Sequence, residues 1–119
     1  MKNNNPDPPS EIVEELIGYL QSSKLDKLLK QLDHLITEYP KSGTLYNIFG
    51  VYHKVTNDVN KAGKCFEKSY QLNKNDPNII NNFANHLREI GKIDKAIELY
   101  DKVLNINDKF FQAYNNLGI

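Results

Sequence analysis

The chain has 119 residues, and its fifteen basic and fifteen acidic side chains cancel. That balance removes the electrostatic reason to expect DNA, RNA or an anionic membrane as partner. Its one cysteine, Cys65, excludes an internal disulfide, and no apolar run nears the roughly 20 residues that a membrane-spanning helix requires.

The start, MKNNNPDPPS, lacks the apolar segment of a secretory signal, so a soluble cytoplasmic chain is expected. Residues 1–9 are polar and carry three prolines, too little apolar surface to repay ordering, which predicts an extended or disordered lead. Ser10 is placed to cap a first helix. Ile12, Leu16, Tyr19 and Leu20 then recur at helical spacing. After a polar turn at Gln21 to Lys24, Leu25, Leu28, Leu29, Leu32, Leu35 and Ile36 make a second apolar face, ended by Pro40. Residues 43–56 and 59–72 read as a second hairpin. Asn57 tolerates the left-handed conformation that ends a helix, and Asp58 can cap the next one. Asp76-Pro77 is the clearest boundary, a cap followed by a proline whose missing N–H costs nothing at the first helical position. Helices are predicted over 77–90 and 93–106, split by Gly91, with a last one from near Phe110. No strand is predicted.

The hairpins repeat. Tyr46, Phe49, Gly50, Asn57, Ala62, Phe66 and Leu72 are matched 34 residues later by Ile80, Phe83, Ala84, Gly91, Ala96, Tyr100 and Ile106. Tyr114, Leu117 and Gly118 start a further copy in register. A fixed period of this length marks a helical array, and such arrays usually bind rather than catalyse. Small residues at Gly50, Ala84, Ala62 and Ala96 let the two helices of a hairpin approach closely. The large residues around them fill the space that remains.

These residues resemble the tetratricopeptide repeat, most clearly in YNIFG (46–50), DKAIELYDKVLNIN (94–107) and AYNNLG (113–118). The resemblance covers residues 10–119. It implies an all-α, right-handed α-solenoid of antiparallel helix hairpins with about 3.5 repeats. The expected division is a degenerate, capping repeat at 10–42, repeats at 43–76 and 77–110, and a truncated one at 111–119. In the first repeat Leu16 and Leu28 stand where small residues are usual, which implies a different helix crossing. Gly43 and Ser69 are milder departures. The lead and the Leu-rich first hairpin also resemble the N-terminal region of bacterial proteins in which such arrays precede a glycosyltransferase or sulfotransferase domain. The stop at Ile119, before a partner helix, suggests a fragment of a longer chain.

In that family the first helix of each hairpin lines a concave groove for an extended peptide or protein segment. By the register, the groove positions are Thr44, Asn47, Ile48, Val51 and Lys54, then Asn78, Asn81, Asn82, Asn85 and Arg88, then Gln112, Asn115 and Asn116. Side-chain amides offer both donor and acceptor, so a row of them can hold a peptide backbone. Asn82 and Asn116 are equivalent rungs, and the row breaks at Ile48. Lys54 and Arg88 are equivalent and could hold an anion. Asn78 and Asn82 replace the paired cations that the family uses to clamp a chaperone tail, so that specificity is not expected.

Chemistry has no foothold in this sequence. His34, His53 and His86 stand singly, without the i, i+4 pair of helical zinc sites, and read as packing or surface residues. No phosphate loop, nucleophile elbow or converging carboxylate pair occurs. No catalytic residue, metal or cofactor is expected. The chain is thus expected to be a protein-interaction scaffold, or the accessory region of a larger transferase. An RNA-binding array is disfavoured by the neutral groove. Weak self-association is expected through the apolar face of the last helix, at Phe110, Phe111, Tyr114 and Leu117.

Overall fold

The computed structural model describes residues 5–106. Among them the secondary structure is six helices: α1 (Ser10–Gln21), α2 (Leu25–Glu38), α3 (Gly43–Val55), α4 (Val59–Leu72), α5 (Pro77–Glu89) and α6 (Ile93–Ile106). The elements predicted at 43–72 and 77–106 begin and end within a residue of these bounds. The chain divides into two compact units, one reaching Leu72 and the other beginning at Asn73.

Three turns punctuate the helices in the same way. Ser23, Asn57 and Gly91, spaced by the repeat length, have φ of 58°, 64° and 89°. After each of them an N–H reaches back to a carbonyl near the helix end: Lys24 to Tyr19, Asp58 to His53 and Lys92 to Leu87, all at 2.8 Å. These bonds satisfy carbonyls that the helix end would otherwise leave open. Glycine adopts the left-handed region freely and asparagine tolerates it, while serine is strained there. The first hairpin therefore turns in the same way, with a serine where the others have Asn57 and Gly91.

In the first unit, α1, α2 and α3 share a core of Leu16, Leu28, Leu32, Leu35, Leu45 and Ile48, flanked by Tyr19, Phe49 and Tyr52. Leu16 and Leu28 fill the places where small residues were expected, and α1 lies less intimately against α2 than α3 does against α4. The α3–α4 pair is closely apposed at Gly50. A Cβ there would come within 2.5 Å of Cδ1 of Phe66, whose ring is buried. Ala62 is buried beside it in sequence register, and Ser69 donates its hydroxyl to the Gly43 carbonyl at 2.6 Å. Burying each large apolar side chain of this kind contributes roughly 1.5–3 kcal/mol.

The second unit repeats the plan. Asp76 accepts from the N–H of Asn78 at 2.9 Å, and Pro77 occupies the first turn of α5. Ile79, Ile80, Phe83, Ala84 and Leu87 of α5 and Ala96, Leu99, Tyr100 and Val103 of α6 are buried. The Tyr100 hydroxyl donates to Oδ1 of Asn85, which ties α6 to α5.

Two local expectations change. Ser10 is the first helical residue rather than the cap. The cap position is Pro9, whose carbonyl accepts from Ile12 at 3.0 Å and Val13 at 3.2 Å, with no side-chain bond. Proline's extended ψ of 149° sets that entry. In the described part of the lead, residues 5–9, Pro8 is buried and Asp7 is anchored by hydroxyls of Ser42 and Thr44. Polar bonds supply there what apolar burial could not.

Candidate functional site

The outward face of α3 is built from residues three and four apart. Thr44, Asn47 and Val51 are half-buried, and Lys54 near the helix end is exposed. Ser42 starts this helix, its side chain accepting from the N–H of Leu45 at 3.1 Å. Ile48 is not part of the face: it is 5% exposed and belongs to the leucine core with α1 and α2. The break in the asparagine row is therefore a core position, set by the first hairpin packing against α3.

On α5, Asn78 is exposed, while Asn82, Asn85 and Arg88 are half-buried along one stripe. Asn81 is only 4% exposed and belongs to the interior, so its amide is not offered to a ligand as the register suggested. Asn85 is committed through its Oδ1 to Tyr100, which leaves its NH₂ group as the part able to donate outward. The α5 positions of the register that reach the surface are thus Asn78, Asn82, Asn85 and Arg88. Gln112, Asn115 and Asn116, and the self-association surface at Phe110, Phe111, Tyr114 and Leu117, lie outside the described residues.

The titratable groups near these faces are structural. His53 stacks on Phe49, with ring centroids 6.1 Å apart, and meets Tyr52 edge-on at 5.2 Å. Burial pushes its pKa down, against Asp58, which raises it, and with Lys61, which lowers it further. Burial also raises the pKa of the Cys65 thiol, which disfavours the thiolate. Tyr100 is raised by burial, partly offset by Arg88, with Glu89 adding to the rise. His34 makes an exposed pair with Glu38 at 2.8 Å. No group of three or more metal-ligating side chains converges among the described residues.

The family model for the TPR repeat matches residues 84–119. Residues 84–119 therefore carry a tetratricopeptide repeat. Solved structures share the fold of the chain as a whole. The first TPR of Spaghetti (RPAP3), bound to the HSP90 peptide SRMEEVD, matches with a TM-score of 0.78 at 17% identity, covering 89% of this chain and 85% of that one. Pseudomonas aeruginosa pilF matches with a TM-score of 0.82 at 16% identity, covering 92% of this chain and 50% of that one. Among curated proteins, mouse protein O-mannosyl-transferase TMTC1 is 30% identical over 93 residues, 75% of this chain. The chain spans only 10% of the length of that relative. No helix among the described residues is long and apolar enough to cross a membrane.

Proposed function

We propose that this tetratricopeptide chain is a non-catalytic protein-interaction module that holds an extended peptide or protein segment on the first helices of its hairpins. The observation that carries this reading is the pair of polar faces. Asn47 and Lys54 on α3, and Asn78, Asn82 and Arg88 on α5, reach the surface on helices whose buried sides are mainly apolar. Amides can pair with a peptide backbone in either direction, and the two cations favour a ligand with acidic groups. The structurally similar RPAP3 domain, seen with the HSP90 peptide SRMEEVD, supports the use of this fold to hold a peptide, though without the chaperone-tail clamp. Asn115 and Asn116 extend the proposed contact by the repeat register. A cytoplasmic setting is part of this proposal and rests on the composition.

The test is affinity capture with the intact chain, followed by the same measurement on the Asn47→Ala, Asn82→Ala double variant. Binding to the captured partner should fall by about tenfold, the loss of two hydrogen bonds to a backbone, with helicity unchanged. Unaltered affinity would remove the faces from the account.

A second reading has one specific observation in its favour. The similarity to a stretch of TMTC1 fits an accessory tetratricopeptide region within a larger transferase that acts on sugars. The reading frame of the gene decides it: a transferase domain in the same polypeptide supports the idea, and its absence there removes the basis for it.

A further inference from the structure

The start of α3 already holds a carboxylate. Asp7 places one oxygen 2.5 Å from Oγ of Ser42 and the other 2.9 Å from Oγ1 of Thr44, and both hydroxyls donate. Ser42 is fully buried, and its Oγ also accepts from the N–H of Leu45. The cradle is therefore held rigidly by the helix it caps. A helix of this length presents partial positive charge at its N-terminus, which favours an anion there. The segment that delivers Asp7 is short and shaped for the purpose. The N–H of Asp7 donates to Asn5 Oδ1 at 3.0 Å, and Pro8 is buried. Beside the segment lies a cleft of about 430 Å³ walled by Asn5, Val13, Glu14 and Thr44.

Thr44 is the first position of the outward face of α3, so the segment lies across one end of the surface assigned to the peptide. Hydroxyls hold Asp7, and hydroxyl bonds exchange more readily than a buried ion pair. We propose that residues 5–9 are an autoinhibitory strap, in which Asp7 occupies the place that a carboxylate of an acidic peptide takes when the strap opens. The inference rests on the peptide-binding reading of α3 and adds its regulation: the ligand must displace a tethered competitor. A face that is free only part of the time has its apparent affinity reduced by that fraction.

The test uses the full chain and its Asp7→Ala and Asp7→Asn variants, with the strap itself as probe in trans. The probe is acetyl-Asn-Pro-Asp-Pro-Pro-Ser-amide, a copy of residues 5–10, and a second version carries Asn for its Asp. Backbone amide shifts of residues 42–45 report binding, and far-ultraviolet circular dichroism checks that each variant stays helical. The Asp7→Ala chain should bind the probe on the order of tenfold more tightly than the unaltered chain, with the Asn version of the probe markedly weaker. Asp7→Asn keeps the shape of the side chain and should give the same order, which guards against a folding defect in the alanine variant. Equal binding by altered and unaltered chains would overturn the strap, and so would indifference to the carboxylate of the probe. A captured partner that contacts Asn47 and Lys54 but binds Asp7→Ala and unaltered chains alike would also overturn the strap, while leaving the peptide-binding reading intact.

Discussion

Ser69 on α4 donates its hydroxyl to the carbonyl of Gly43 on α3, and the two residues are the ones at which the second hairpin departs from the family pattern. Each looked like an isolated oddity in the sequence, and together they are one contact. Ser69 is fully buried, so the bond is made away from solvent competition. Ser69→Ala should cost about 0.5–1.5 kcal/mol, the usual net value of one such bond. Chemical denaturation of the two proteins checks it.

The closest approach in the first unit predicts opposite outcomes for two glycine substitutions. Gly50→Ala gains helix propensity of about 1 kcal/mol, but its new methyl meets the buried ring of Phe66. Overpacking of that kind costs about 1–3 kcal/mol, so the net effect is a loss. Gly18 in α1 faces open space, and Gly18→Ala should stabilise by roughly 0.5–1 kcal/mol. If both substitutions stabilise equally, α3 and α4 are not apposed as described.

Ser23 pays the strain that Gly91 avoids at the equivalent turn. Ser23→Gly removes a left-handed penalty of about 1–2 kcal/mol and gives back part of it as chain entropy. A net gain of about 0.5–1 kcal/mol in thermal or chemical denaturation is expected. A loss would contradict the turn geometry of the first hairpin.

His53 gives the fold a dependence on mild acid. Its pKa is lowered in the folded chain by burial, so between the folded value and the ordinary one near 6.5 the unfolded chain binds more protons. Stability contributed by the neutral ring is present above about pH 6.5 and is lost as pH falls toward the folded pKa. His53→Gln should lose stability at neutral pH through its ring contacts, yet show a shallower decline between pH 7.5 and 5. Parallel declines for the two proteins would contradict the assignment.

The elements were legible because their signals are local. Apolar spacing fixed the helix faces, and Asn57, Asp58, Asp76-Pro77 and Gly91 marked the breaks with residue types suited to those conformations. Ser23 was not legible as a left-handed residue, since serine carries no preference for that region. The anchoring of Asp7 was hidden for another reason: it joins three short polar side chains, with 35 and 37 residues separating Asp7 from its partners. The proposed site is a register in the sequence and only partly a surface in the structure. Repeat periodicity assigns the same face to every copy. It does not reveal that α1 and α2 cover Ile48, or that Tyr100 claims the amide carbonyl of Asn85.

The most direct test of the central claim is a residue-resolved titration. A captured partner segment is added to the isotopically labelled chain, and the backbone and side-chain amide signals are followed. The account predicts shifts that gather at Asn47, Val51 and Lys54 and at Asn78, Asn82 and Arg88, with the exposed residues of α4 and α6 undisturbed. Shifts concentrated on α4 and α6, with the side-chain amides of Asn47 and Asn82 unmoved, would contradict it.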